Sequence, residues 1–96
     1  MQTPPGLDMS GLVLFGTQGC GQCVQSAQWL TDQGLLFRKY DVTTSLSVIQ
    51  WLQQVTGQRT VPQFFYNGHW LAEGFARVQH MASLGELKRP GVTQLG

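Results

Sequence analysis

Charge is scarce in this chain: only 11% of its 96 residues are Asp, Glu, Lys or Arg, and six basic against five acidic side chains leave a net charge of +1. The charges are scattered. No basic stripe is available to neutralise phosphates and no acidic tail to repel them, which argues against nucleic acid as a partner. Long apolar runs are missing too. They stop at four or five residues, as in Leu12-Val13-Leu14-Phe15, far short of the roughly 20 that cross a bilayer. The beginning, MQTPPGLDMS, lacks the basic, then apolar, pattern of a secretory signal. The expected setting is the cytoplasm, without membrane association. Cysteine is confined to Cys20 and Cys23. In a reducing compartment such a pair is more often catalytic or metal-binding than a structural staple, and a bridge across so short a loop removes little unfolded-state entropy.

What is present suits one domain. With 42% hydrophobic residues the chain can fill a single compact core, and a monomer is expected. Residues 1–10, with Pro4-Pro5-Gly6, read as an irregular leader, residues 11–88 as the folded domain, and residues 89–96 as a short tail. Leu12 to Phe15 has the continuous apolar character of a strand covered on both faces. From Gly21 the period changes, and Cys23, Val24, Ala27 and Leu30 mark the inward stripe of a helix that stops at Gly34. Leu35 to Val42 reads as a second strand. Thr44 or Ser45 caps a second helix with the inward stripe Val48, Trp51, Leu52, Val55 and a stop at Gly57. Val61 to Tyr66, then Asn67-Gly68, then His69 to Leu71 is the pattern of a β-hairpin. A last helix is expected over Phe75 to Lys88, with Phe75, Val78, Met81, Ala82 and Leu87 or Leu84 facing inward. The order βαβαββα predicts an α/β fold, a four-stranded mixed sheet covered on both faces by three helices.

Cys20 falls where the first strand hands over to the first helix, and Cys23 lies one turn inside. Free backbone N–H groups and the positive end of the helix dipole favour a thiolate at Cys20. Cys23 can then attack a mixed disulfide formed at Cys20 and release the reduced partner, so Cys20 is the expected nucleophile and Cys23 the resolving thiol. Zinc would need two further ligands. His69 and His80 are the only histidines, and a hairpin position and a helix position eleven residues apart do not form a ligand pair. No metal site is expected. Trp29 falls on the glutamine-rich face of the first helix, the place of a contact residue or of a lone exposed aromatic.

The second informative stretch is Thr60-Val61-Pro62. A proline opening an apolar run is ordinarily a strand-opening or edge residue. Opposite a dithiol, a cis X–Pro bond would turn the preceding backbone outward, ready to hold an extended substrate beside Cys20. CGQC at residues 20–23, LQQVTGQRTVPQFFYNG at 52–68 and GEL at 85–87 together make the sequence resemble the glutaredoxins, small members of the thioredoxin fold, from about Gly11 to Leu87. The resemblance implies a thioredoxin-like fold and a thiol-disulfide oxidoreductase acting on protein disulfides or glutathione mixed disulfides, with glutathione as reductant. It also implies a cis Pro62, a Val61 backbone offered to the cysteine portion of glutathione, and a binding set of Arg59, Thr60, Val61, Pro62 and Gly74.

The chain departs from the family pattern at named positions. Gly21 and Gln22 stand between the cysteines in place of Pro-Tyr or Ser-Tyr. Thr17 stands where a basic residue is usual. Ala72-Glu73-Gly74-Phe75-Ala76 brings no acid to the place where the family expects an Asp at the start of the last helix, although Glu73 could cap that helix. Arg59 could supply a positive charge near the site. Two alternatives follow from related groups. One is a redoxin reduced by thioredoxin reductase, of the ribonucleotide-reductase-associated kind, which the Trp70 and Gly74-Phe75 region resembles. The other is a module holding a [2Fe–2S] cluster between two subunits through Cys20 and glutathione, a use that the freedom of Gly21 would suit.

Overall fold

The computed structural model describes residues 3–88. β1 (Leu12–Gly16) and β2 (Arg38–Asp41) are joined through α1 (Gly21–Asp32), and a single 3-10 turn, Val42–Thr44, leads from β2 into α2 (Leu46–Thr56). The hairpin β3 (Gln63–Tyr66) and β4 (His69–Trp70) follows, and α3 (Phe75–Ser83) closes the order. The sheet runs β2-β1-β3-β4, with β1 parallel to β2 and antiparallel to β3, and β3 antiparallel to β4. This is the expected four-stranded mixed sheet with three helices, a thioredoxin-like architecture.

Strand alternation sorts the core into two layers. Leu12 and Leu14 of β1 and Phe64 of β3 face α1 and α3, meeting Leu30, Val78 and Met81. Val13, Phe15 and Phe65 face α2, meeting Val48, Trp51 and Leu52. The second layer is aromatic: Phe15 meets Phe65 edge-on with centroids 5.5 Å apart, and Trp51 stacks on Phe65 at 5.4 Å. Asn67 and Gly68 take positive φ values of 50° and 83° in the two-residue turn between β3 and β4, as hairpin twist demands. Among the described residues no helix is long and apolar enough to cross a membrane.

Several boundaries differ from expectation, each for a local reason. β2 is shorter than Leu35 to Val42 because its ladder to β1 covers only Arg38 to Asp41; Leu35 instead completes the end of α1, its N–H bonding to the Leu30 carbonyl at 3.0 Å, and Leu36 donates to the Lys88 carbonyl at 2.8 Å. α3 ends at Ser83 rather than Lys88. Gly85 takes φ 74°, its N–H bonds Ala82 O at 3.1 Å and the Glu86 N–H bonds Met81 O at 3.0 Å, the paired bonds of a Schellman stop. Leu87 then turns back into the core while Leu84 is exposed. On α1 the inward face is Cys23, Ser26 and Leu30; Ser26 is 3% exposed and Val24 50%. Trp29 is half-buried and meets Phe75 of α3 edge-on at 5.4 Å, so it serves packing between the two helices. Val55 is half-buried against the aromatic layer, and Thr56 joins the buried set of α2. Glu73 does not cap α3, whose N-cap is Gly74 with no side-chain hydrogen bond.

The leader is tied down over its described part. Leu7 and Met9 pack against the aromatic layer, the Asp8 carboxylate pairs with Arg38 at 2.8 Å, and the Tyr40 hydroxyl lies 2.8 Å from the Asp8 N–H. The tail expected over residues 89–96 lies outside the described residues. Two carboxyls in these surface turns are held below their ordinary 3.8: Asp41 by the Thr43 hydroxyl and backbone N–H, and Asp8 by the Ser10 hydroxyl and N–H with help from Arg38. A depressed folded-state value stabilises the fold above the ordinary carboxyl range, and that contribution disappears as pH falls through the folded value. Stability should therefore decline below about pH 4, and the double variant Asp8→Asn, Asp41→Asn should lose part of that acid sensitivity. Urea unfolding at neutral and acid pH measures both; an unchanged acid loss in the variant would assign it to other groups.

Candidate redox site

The loop from Thr17 to Cys20 turns β1 into α1, with the Cys20 N–H 3.4 Å from the Thr17 carbonyl. Cys20 is the N-cap of α1. Its backbone is extended (φ −96°, ψ 109°), its sulfur accepts from the Cys23 N–H at 3.1 Å, and its carbonyl receives the Val24 N–H at 3.1 Å. Cys23 lies one turn on with a Cα separation of 5.2 Å, and the two are joined as a disulfide. Burial separates them: Cys23 is 0% exposed, whereas Cys20 is half-buried at the rim. In the reduced pair the amide donor and the helix N-terminus both act on the Cys20 sulfur, favouring its thiolate, while burial disfavours charge on Cys23.

Across the cleft stands the segment between α2 and β3. α2 stops at Gly57 (φ 70°), whose N–H bonds Gln53 O at 2.8 Å. The Thr56 hydroxyl donates to the Leu52 carbonyl at 2.7 Å and accepts from the Gln58 N–H at 3.1 Å, which anchors the start of the loop. At its other end the Val61-Pro62 bond is cis, and the Val61 carbonyl oxygen lies 3.8 Å from the Cys20 sulfur. Gln22, Gln25 and Ser26 of α1, Pro62, and Phe75 of α3 line the open pocket beside the dithiol.

The structure therefore brings Cys20, Cys23, Val61 and Pro62 together. Arg59 and Thr60 are exposed on the same loop, and among the described residues Arg59 enters no ion pair. Gly74 is the N-cap of α3 with φ 68° and ψ −140°, and its carbonyl receives the N–H groups of Arg77 and Val78 at 3.0 and 3.2 Å. Thr17 is half-buried in the loop before Cys20, and Ala76 is exposed in the first turn of α3; neither the first turn of α1 nor that of α3 carries an acid. His69 and His80 are both exposed. Among the described residues no three His, Cys, Asp or Glu side chains are grouped to hold a metal ion.

Two contributors escaped the sequence reading. Gly16 ends β1 so close to α1 that a Cβ there would lie 2.9 Å from both Cβ and Sγ of Cys23. Gln63, the first residue of β3, is buried with its side chain hydrogen-bonded to the loop. A glycine ending an apolar strand just before a cysteine pair was the available signal for the first; the second had none in local sequence.

The glutaredoxin family model matches residues 12–71, a span that holds the dithiol and the Thr60 to Pro62 loop and stops before Gly74 and α3. Among solved structures the chain is similar to a buckwheat glutaredoxin in complex with glutathione, at 27% identity and TM-score 0.63, covering 78% of this chain and 70% of that one. Wheat glutaredoxin gives 29% identity and TM-score 0.64, covering 80% and 73%. Reduced glutaredoxin C1 from Populus tremula x tremuloides gives 25% and 0.64, covering 80% and 68%. No curated protein matches the chain at a significant level.

Two outcomes follow from this geometry. Brief alkylation of the reduced protein at mildly acid pH should label Cys20 and spare Cys23, read by mass spectrometry of the peptides; preferential labelling of Cys23 would reverse the assignment. Gly16→Ala should destabilise the fold by about 1–3 kcal/mol, since the methyl must displace a buried sulfur on a packed helix. Denaturant unfolding of the oxidised protein checks this, and a neutral result would mean that β1 and α1 can separate freely.

Proposed function

Because the chain belongs to the glutaredoxin family, we propose that it is a thiol-disulfide oxidoreductase that reduces protein disulfides or glutathione mixed disulfides and is itself restored by glutathione. The observation that carries this reading is Cys20, half-buried at the N-cap of α1, one turn from a fully buried Cys23, with its sulfur 3.8 Å from the Val61 carbonyl. The glutathione held by the similar buckwheat glutaredoxin supports glutathione as the ligand.

In this reading the Cys20 thiolate attacks one sulfur of the substrate disulfide, and the departing thiolate takes up a proton. Cys23, deprotonated as it reacts, attacks the Cys20 sulfur of the mixed disulfide and expels the second thiol. Two electrons have passed to the substrate, which leaves as two thiols, and the protein retains the Cys20–Cys23 disulfide. Two glutathione molecules then return the electrons in two exchanges and leave as glutathione disulfide. The Val61 backbone and Pro62 hold the substrate chain, and Thr60, Gly74 and Arg59 supply the flanking contacts.

The test is reduction of the oxidised protein by glutathione and glutathione reductase, run beside thioredoxin and thioredoxin reductase. Glutathione-driven reduction that is lost in Cys20→Ser supports the proposal. Thr17→Lys and Ala76→Asp place a cation beside Cys20 and an anion at the start of α3, complementing the ends of zwitterionic glutathione. Each is expected to raise glutathione-dependent turnover threefold to twentyfold, equivalent to about 0.7–1.8 kcal/mol of partly exposed ionic contact. If neither changes turnover while thioredoxin reductase reduces the wild-type disulfide rapidly, glutathione is not the donor.

A further inference from the structure

Gln63 opens β3, opposite Phe15 of β1 in the antiparallel register. The residue is 6% exposed, and both polar atoms of its side chain are hydrogen-bonded. The amide nitrogen donates to the Thr60 carbonyl at 3.0 Å and to the Gln58 side-chain oxygen at 2.9 Å, and the amide oxygen accepts from the Trp70 indole N–H at 3.0 Å. Chemistry fixes this orientation. The indole nitrogen can only donate and the Thr60 carbonyl can only accept, so a flipped amide would lose both bonds. The Trp70 ring is half-buried against the aromatic layer beneath α2. A rigid donor on the sheet thus pins the glutamine, and the glutamine holds the loop from inside.

The backbone atom held is the carbonyl of Thr60, the residue before Val61, whose own carbonyl faces Cys20 at 3.8 Å. Thr60 and Arg59 are exposed, and the side-chain tethers described from β3 to this loop all come from the same Gln63 amide: the Thr60 carbonyl, the Gln58 side-chain oxygen and, at 3.5 Å, the Thr60 hydroxyl. Gln63 has no hydrogen bond to either cysteine among the described residues.

We propose that Gln63 is a positioning residue for substrate: pinned by Trp70, its amide holds the Thr60 carbonyl, and through it the Val61 backbone, at the height over Cys20 that an extended disulfide-bearing chain requires. The proposal rests on the oxidoreductase reading above but not on glutathione being the donor. Losing the clamp loosens the binding edge while the sulfur chemistry stays intact, so the effect falls on KM and not on the reactivity of Cys20.

The assay is reduction of a disulfide-bonded reporter peptide with dithiothreitol as the electron source, with the alkylation rate of Cys20 and the thermal unfolding midpoint measured on the same samples. Gln63→Met keeps the length and volume of the side chain and removes its hydrogen bonds. It should raise KM fivefold or more, with kcat and Cys20 alkylation within twofold of wild type. Trp70→Phe keeps an aromatic ring on the layer and removes the pinning N–H together with part of the ring's packing volume, which the unfolding midpoint reports; it should raise KM twofold to fivefold and carries the test if Gln63→Met does not fold. An unchanged KM with a lowered unfolding midpoint, or a fall in kcat matched by slower alkylation, overturns the proposal. Wild-type protein that works with dithiothreitol but not with glutathione removes glutathione from the functional reading and leaves this comparison intact.

Discussion

At Gly16 the end of β1 and the first turn of α1 come into contact so close that no side chain fits between them, and the arrangement of the dithiol depends on that contact. A Cβ at Gly16 would sit 2.9 Å from the Cys23 side chain, so hydrogen in that place is what lets the helix rest on the strand with Cys23 fully buried. Once Cys23 is fixed there, its backbone N–H points back along the helix axis to the residue that caps it. That residue is Cys20. Two chemically identical thiols thereby acquire different surroundings, one with a hydrogen-bond donor and a helix N-terminus beside it, the other fully buried where a charge is costly.

The support given to Cys20 is notable for its neutrality. Residues 17–25 contain no charged side chain, and α3, whose N-terminus faces the same cleft through Phe75, begins without an acid or a side-chain cap. Stabilisation of a thiolate here rests on backbone dipoles, which are part of the fold and move little with side-chain conformation. Ionic contacts on flexible stems would be screened by salt and would cost side-chain entropy. Arg59 is the one cation on the facing loop, exposed and outside any ion pair among the described residues. Among the described residues, the groups nearest the Cys20 sulfur are therefore backbone and sulfur rather than charged side chains.

Periodicity and glycine punctuation made most of this legible before any coordinates. Gly34 and Gly57 stop α1 and α2 where apolar periodicity also lapses, so two signals agree. At Gly85 they conflict: Leu84 and Leu87 continue a helical spacing past a glycine that takes a left-handed conformation and ends the helix, and the backbone won. On α1, periodicity locates the apolar face only to within about one residue, or 100° of rotation. In the fold Trp29 meets Phe75, Ser26 faces in and Val24 stays out. The dithiol was readable because two cysteines three residues apart at a strand-to-helix junction lie one helical turn from each other, and the cis bond before Pro62 was readable through the resemblance to the glutaredoxins. Gln63 was not, because its role comes from Trp70, which hairpin pairing brings across from another strand.

The pairing of β1 with β3 also explains why the two halves of the site hold their separation. β1 delivers the dithiol through Gly16 and the short turn to Cys20, and β3 begins immediately after Pro62. The two strands are adjacent in the sheet, with Phe15 paired to Gln63 at the end of their shared ladder. The distance from the Cys20 sulfur to the Val61 backbone is thus spanned by one inter-strand step and two short connections, each anchored within a residue or two of the ladder. One anchor is steric, at Gly16, and the other is a hydrogen-bonded amide, at Gln63. Bulk at the first pushes the sulfur outward, and loss of the second lets the loop drift, so the two errors act on the same gap from opposite sides. A packed pair of central strands tolerates little independent movement of its ends, and that stiffness is what lets so few charged groups suffice at the site.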